Sequence, residues 1–170
     1  KVKEFEDKIN RKFGSKYCCA VANGTAALYL TAIALGWKKG DIILCSAISF
    51  VSGANSVIYS GATPDFVDID EKSYNIDLIK IENKIKKYSK NNKKIKAIIV
   101  TDYAGNPSDW EGLKKSSKKY NIRLINDNCH ALGSAYKKNK KYAVKYADVA
   151  IHSYHPVKNI TTGEGGAVLT

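Results

Sequence analysis

The sequence has 170 residues, of which 44% are hydrophobic and 26% are charged, and this balance excludes a largely disordered chain. Lys and Arg number 28 against 16 Asp and Glu, which gives a formal net charge of +12. Only Arg11 and Arg123 are Arg, and the Lys residues are scattered in pairs, so we expect a solvated basic surface and no nucleic-acid partner.

Hydrophobic periodicity predicts helices and strands that alternate along the chain. Phe5, Ile9 and Phe13 recur at helical spacing and predict a helix over 3–13 that ends near Gly14. The other predicted elements are a buried strand over 17–21, a helix over 26–35, a strand over 41–45, a helix over 51–59, a strand over 65–69, a helix over 77–88, a strand over 96–100, a helix over 109–120, and strands over 123–126, 147–151 and 167–169. The alternation indicates one α/β domain over residues 1–170, a three-layer αβα sandwich with a mostly parallel sheet.

The cysteines bear on location and on metal binding. Cys18, Cys19, Cys45 and Cys129 show neither zinc-ligand spacing nor the framework of a secreted protein, so we expect reduced thiols and a cytoplasmic location. We expect no metal site. Two uncharged stretches, 17–37 and 42–64, contain Asn, Ser and Gly, which favours buried elements over membrane spans, and we expect no membrane partner.

Polar clusters follow four of the predicted strands. They are Asn23-Gly24-Thr25, Ser46–Phe50, Asp127–His130 and Ser153–Lys158. Because the carboxyl ends of parallel strands meet at one edge of a sheet, the sequence predicts one site built from four loops.

Three residues in these loops have a specific chemical interpretation and a structural alternative. Thr25 opens a helix whose free amides suit a phosphate, although any capped helix has this pattern. Asp127 follows a buried strand, so it could pair with a protonated ring nitrogen or cap a helix. Lys158 is the only basic residue between Lys145 and the end of the sequence, and it is either a Schiff-base lysine or one more surface lysine.

Five segments carry a resemblance to a known family: Asn23–Leu28, Ser46–Ser52, Gly61–Pro64, Asp127–Gly133 and Ser153–Thr170. Together they resemble the DegT/DnrJ/EryC1/StrS family of pyridoxal-phosphate sugar aminotransferases. Their order and spacing along the chain are family-like. The resemblance implies the large domain of the fold type I, aspartate aminotransferase-like transferases. The segment from His155 to Gly166 is most similar to the branch that aminates UDP-linked 4-keto sugars for pseudaminic acid.

The resemblance also implies roles for individual residues. Lys158 is expected to form a Schiff base with pyridoxal 5'-phosphate and to shuttle a proton, and Asp127 to pair with the pyridinium nitrogen. The further cofactor-binding residues that it implies are Thr25, Ala26 and Ser153 at the phosphate, Phe50 stacked on the ring, His130 near the phenolic oxygen, and Asn159 after the lysine. Lys at 158 favours an aminotransferase over the family's dehydratases, which carry His there.

The resemblance implies a nucleotide-linked keto-sugar as substrate, L-glutamate as amino donor and a homodimer. The sequence contains no Met and ends in a strand-like run, so we expect it to be part of a longer chain, without the family's C-terminal small domain. Two alternatives stay open: a non-catalytic fragment or partner-binding module of this fold, and a Lys-rich domain that binds anions or nucleic acid.

Overall fold

Seven strands and six α-helices make up the computed structural model, which describes residues 1–170. The strands are β1 Cys18–Val21, β2 Ile42–Ser46, β3 Thr63–Val67, β4 Ile95–Thr101, β5 Arg123–Asp127, β6 Val149–Ser153 and β7 Gly166–Leu169. The helices are α1 Val2–Phe13, α2 Gly24–Ala34, α3 Ser52–Tyr59, α4 Leu78–Lys90, α5 Trp110–Tyr120 and α6 Tyr142–Tyr146, with a short 3-10 turn at Tyr103–Gly105.

All seven strands form one sheet in the order β1-β7-β6-β5-β4-β2-β3. The four neighbouring pairs β3–β2, β2–β4, β4–β5 and β5–β6 are parallel. Strand β7 is antiparallel to both of its neighbours, β6 and β1. This confirms the predicted α/β fold with a mostly parallel sheet. In the parallel register Thr101, the last residue of β4, lies beside Asp127, the last residue of β5, and Asp127 lies beside Ile151, two residues before the end of β6.

The helices cover both faces of the sheet and enclose two separate cores. One core holds 22 buried residues, among them Phe13 of α1, Ile81 of α4, Trp110 of α5 and Tyr142 of α6. The other holds 14, including Leu28 of α2 and Val57 of α3. Two helical layers around one sheet give the expected three-layer sandwich. No helix is both long and apolar enough to cross a bilayer.

The structure corrects three details of the predicted elements. β3 begins at Thr63, two residues before the predicted strand, because Pro64 is tolerated on an edge strand. The strand predicted over 17–21 is not fully buried: it also lies at an edge, where Cys19 is exposed. Helix α6 was not predicted, because five residues are too few to show a helical period.

Candidate active site

A cavity of about 300 Å³ opens at the carboxyl ends of the parallel strands. It is lined by Asn23, Gly24, Thr25, Ser49, Phe50, Ser52, Asp127, Cys129, His130, Ser153, His155, Val157, Lys158 and Glu164. These residues come from all four loops that follow the strands. The fold therefore brings the four predicted polar clusters to one place.

The first wall is the amino-terminal end of α2. Asn23 caps this helix, because its Oδ1 accepts a 2.9 Å hydrogen bond from the amide of Ala26. The amides of Gly24 and Thr25 lie in the first turn, where no intrahelical acceptor exists. These amides and the positive end of the helix dipole suit an anion at this wall.

Gly24 is packed closely against the neighbouring strand and loop. A Cβ at this position would lie 3.0 Å from the Cβ of Ser153 and 3.2 Å from the Sγ of Cys129. A side chain at this position would therefore force Ser153 or Cys129 to shift, and Gly24 itself lines the cavity. Ser153 adds a hydroxyl at the same end of the cavity.

The second wall is formed by Asp127, the last residue of β5. Its side chain is buried, and its Oδ1 accepts a 3.3 Å hydrogen bond from the amide of Cys129. Asp127 takes part in none of the eight ion pairs of the structure. A buried carboxylate without a cationic partner is costly, so this geometry suits a ligand that brings a protonated donor.

The pKa values of two residues near Asp127, Cys129 and His130, are shifted in the direction that favours the uncharged form. Burial raises the pKa of the Cys129 thiol well above its ordinary value, so the thiol stays protonated. Burial lowers the pKa of His130, the nearby charge of Lys158 lowers it further, and the charge of Asp127 opposes both. His130 is therefore a neutral imidazole at neutral pH, able to donate or accept a hydrogen bond.

Lys158 lies on the loop between β6 and β7. Its amide donates to the carbonyl oxygen of His155 at 2.9 Å, which closes a turn. The loop is anchored by Thr161 and Thr162, which donate from a hydroxyl and an amide to the carbonyl oxygen of Tyr154 at 2.9 and 3.0 Å. Lys158 is partly buried and takes part in no ion pair, whereas Lys84, which is also partly buried, pairs with the carboxylate of Asp65.

The structure brings together six of the eight residues that the sequence pointed to. Thr25, Phe50, Asp127, His130, Ser153 and Lys158 line the cavity. Ala26 does not, and its amide is already bonded to Asn23. Asn159 lies in an adjacent cavity.

Ser49 and Glu164 also line the cavity, although no individual role was predicted for either residue. The hydroxyl of Ser49, in the loop after β2, shares a 2.8 Å hydrogen bond with the hydroxyl of Thr101 at the end of β4, a pairing that no local pattern shows. Oε1 of Glu164 lies 3.8 Å from Nε2 of His155. The sequence feature that could have identified Glu164 is its place in the Thr-Gly-Glu-Gly-Gly segment.

A buried polar network centres on Asp102, directly after β4. Its carboxylate is fully buried and accepts from five groups: the amide of Ser108 at 2.8 Å, Trp110 Nε1 at 3.0 Å, Asn126 Nδ2 at 3.2 Å, Asn128 Nδ2 at 3.3 Å and Tyr142 OH at 2.7 Å. Burial raises the pKa of Asp102, and the donors oppose that shift. Since Asn126 and Asn128 flank Asp127, the network fixes the strand end that carries it.

Comparison with known sequences gives a match over the whole chain. Residues 1–170 match the model of the DegT/DnrJ/EryC1/StrS aminotransferase family. The chain is 43% identical over 170 residues to a UDP-4-amino-4,6-dideoxy-N-acetyl-beta-L-altrosamine transaminase of Campylobacter jejuni, covering all of this chain and 43% of that protein. It is 36% identical over 169 residues to a GDP-perosamine synthase of Escherichia coli O157:H7, covering 99% of this chain and 44% of the relative. The chain thus spans less than half the length of these curated relatives.

Solved structures agree with the sequence comparison. A DegT DnrJ EryC1 StrS aminotransferase from Brucella abortus superposes with a TM-score of 0.93 at 28% identity, over 99% of this chain and 45% of that one. The Bacillus subtilis protein ntda, solved with its cofactor PMP bound, gives 0.88 at 30% identity, over 99% and 36%. The architecture is that of these aminotransferases, and with the family match along its whole length the chain belongs to the DegT/DnrJ/EryC1/StrS aminotransferase family.

Proposed function

We propose that residues 1–170 are the cofactor-binding large domain of a pyridoxal-phosphate-dependent aminotransferase that acts on a nucleotide-linked keto-sugar. The observation that carries the proposal is the cavity in which Lys158, Asp127 and the amino-terminal end of α2 face one another. The Campylobacter jejuni and Escherichia coli relatives support the substrate class, because their names refer to nucleotide-linked amino sugars. The cofactor-bound Bacillus subtilis structure supports the cofactor.

The residues of the cavity fit pyridoxal phosphate. The amides of Gly24 and Thr25 lie in the first turn of α2, where they have no intrahelical acceptor and can bind a phosphate. The buried carboxylate of Asp127 lacks a cationic partner, which a protonated ring nitrogen would provide. Phe50 is 64% exposed on its own but lines the cavity, so a flat ring bound there would cover it.

Each residue then has a defined task. The amides of α2 and the hydroxyls of Thr25 and Ser153 would bind the phosphate, and Asp127 would hold a proton at the ring nitrogen. When bound, the cofactor supplies an electron sink for negative charge at the substrate carbon. Lys158 Nζ would bind the cofactor covalently between turnovers and, when released, move a proton to or from that carbon.

His130 and Asn159 have the remaining assigned tasks. Neutral His130 lines the cavity and would hydrogen-bond the phenolic oxygen of the cofactor. Asn159 would support the loop next to Lys158. Ala26 would contribute through the helix dipole rather than its amide, which Asn23 already uses.

The proposal includes L-glutamate as amino donor, a cytoplasmic location and a homodimer. The four free cysteines support a reducing compartment. The outer faces of α2 and α3 support self-association: Tyr29, Leu30, Ile33, Ile58 and Tyr59 are exposed, and the rings of Tyr29 and Tyr59 are 6.1 Å apart. An apolar surface shared by two helices is typical of a protein–protein interface.

Reductive trapping tests the proposal. The protein expressed from its complete gene is incubated with pyridoxal phosphate, reduced with borohydride and mapped by peptide mass spectrometry. We expect one adduct, at Lys158, which is lost in Lys158→Ala and kept in Lys118→Ala, a control at an exposed surface lysine. Adducts spread over many lysines, or none at Lys158, would overturn the proposal and favour a non-catalytic module. Formation of 2-oxoglutarate from L-glutamate, dependent on a nucleotide-linked keto-sugar, tests the reaction.

A further inference from the structure

A second cavity, of about 370 Å³, adjoins the first. It is lined by Tyr103, Ala104, His130, Val157, Lys158 and Asn159. His130, Val157 and Lys158 line both cavities, so the lysine can be approached from either one. A molecule bound in the second cavity therefore lies beside the group that would transfer the proton.

Tyr103, which lines this cavity, lies beside a second tyrosine, Tyr74. The ring of Tyr103 lies 6.1 Å from the imidazole of His130, and the ring of Tyr74 lies 6.4 Å from that of Tyr103 at a 37° tilt. We refer to Tyr74 and Tyr103 as the aromatic shelf. Tyr74 is 53% exposed and belongs to neither hydrophobic core, so the packing of the domain does not account for it.

The two loops that carry the aromatic shelf are locked together. The side chain of the buried Asn75 accepts from the amide of Tyr103 at 3.1 Å and donates to the carbonyl oxygen of Asn106 at 3.0 Å. Asn106 in turn donates through Nδ2 to the carbonyl oxygen of Ser73 at 3.2 Å. These three hydrogen bonds fix the two loops, and with them the two tyrosines, relative to each other before any ligand arrives, which lowers the entropy cost of binding.

Both loops also contain strained backbone. Tyr74 has φ of 59° and Ala104 has φ of 51°, in the left-handed region that side chains other than Gly seldom adopt. Such strain persists only where the surroundings impose it, and it concentrates at ligand-binding sites. The left-handed backbone at position 74 favours Gly or Asn, so the presence of Tyr there indicates that its aromatic ring has a function.

The chemistry of the second cavity indicates which part of a nucleotide sugar it would take. Apart from Lys158 and the neutral His130, its lining groups are uncharged, and this composition does not suit a pyrophosphate. Aromatic faces carry negative partial charge and pack well against the C–H bonds of a pyranose ring. The reacting carbon of a keto-sugar belongs to the pyranose ring, so the ring is the part of the substrate that lies next to Lys158.

We propose that the aromatic shelf, Tyr74 and Tyr103, binds the hexose ring of the nucleotide-linked sugar and places its reacting carbon at Lys158. The inference rests on the proposed function and deepens it, because it names specificity-determining residues for the sugar. Tyr103 lines the same cavity as Lys158 and contacts the sugar ring directly, and Tyr74, beside it, extends the aromatic surface.

Binding of paired probes tests the shelf. Dissociation constants are measured by calorimetry for UDP-N-acetylglucosamine against UDP, and for GDP-mannose against GDP, with protein expressed from its complete gene. We expect the wild type to bind one sugar nucleotide more tightly than the bare nucleotide. Tyr103→Ala and Tyr74→Asn should each weaken that sugar nucleotide about tenfold and leave the bare nucleotide within about twofold.

The variants are chosen to separate binding from folding. Asn tolerates left-handed backbone, so Tyr74→Asn removes the ring and keeps the loop. Tyr103→Phe keeps the ring and should bind as the wild type does. Tyr17→Ala, at a tyrosine that is 62% exposed outside both cavities, should change nothing.

Two results would overturn the shelf: no preference of the wild type for either sugar nucleotide, or wild-type preference kept in Tyr103→Ala. Borohydride labelling of Lys158 is run on every variant and separates this proposal from the proposed function. If Lys158 is labelled and Tyr103→Ala binds the sugar nucleotide as tightly as the wild type does, only the proposed role of the aromatic shelf is refuted. An unlabelled Lys158 in the wild type refutes the proposed function, on which the shelf depends.

Discussion

Replacing Tyr142 by Phe removes one hydroxyl from the buried network around Asp102. That hydroxyl donates to Asp102 Oδ2 at 2.7 Å and accepts from Asn128 Nδ2 at 2.8 Å. Tyr142 is 1% exposed, so water cannot replace the lost group. A hydrogen bond to a buried charge contributes about 1.5–3 kcal/mol, and we expect Tyr142→Phe to lower the free energy of unfolding by about 2–3 kcal/mol.

Urea unfolding followed by tryptophan fluorescence measures this change. Trp110 is a suitable probe, because its Nε1 donates to Asp102 and its ring lies 6.4 Å from that of Tyr142. With a denaturant slope of about 2 kcal/mol per molar urea, the midpoint should fall by about 1 M at constant slope. Tyr146→Phe is the matched control: it removes a hydroxyl from the same helix, α6, bonded at 3.3 Å to the exposed Glu111, and should leave the midpoint unchanged. Equal midpoints for Tyr142→Phe and the wild type would refute the reasoning.

Three further predictions concern stability and assembly. Gly166→Ala should destabilise the protein by about 1–3 kcal/mol in urea unfolding, because its Cβ would lie 2.5 Å from the backbone of Asn23; Gly53→Ala, with 4.0 Å to its nearest neighbour, should not. Burial lowers the pKa of His152 to about 3, so below pH 6.5 protons bind the unfolded chain first. Stability should then fall as the pH decreases, by up to about 1.4 kcal/mol per pH unit, and a parallel pH profile for His152→Leu would contradict this. Ile33→Lys, on the exposed face of α2, should shift the sedimentation velocity distribution toward monomer; an unchanged distribution would exclude that face as the interface.

The fold followed from local signals to a large extent. Apolar runs such as 96–100 and helical spacing such as Phe5, Ile9 and Phe13 depend on nearest neighbours only, and these elements were predicted within one or two residues. The bounds of edge strands and the presence of short helices were harder to predict. The start of β3 and the existence of α6 depend on what packs beside them, which the sequence does not state.

The candidate site was predicted as four loops, and the structure places those loops around one cavity. The roles assigned to Lys158 and Asp127 stay predictions that reductive trapping can test. The resemblance pointed to individual residues, but it did not show that the amide of Ala26 is bonded to Asn23. Nor did it show the pairing of Tyr74 with Tyr103, since these side chains are far apart in sequence.

The sequence by itself determined the alternation of strands and helices and the polar residues at the strand ends, because both arise from the period and chemistry of adjacent residues. Only the tertiary structure decided which side chains share a wall and how each one is charged. Burial lowers the pKa of His130, and packing places five donors around Asp102 but leaves Asp127 outside the ion pairs. Those effects depend on groups that the chain brings together from distant positions, and no local pattern records them.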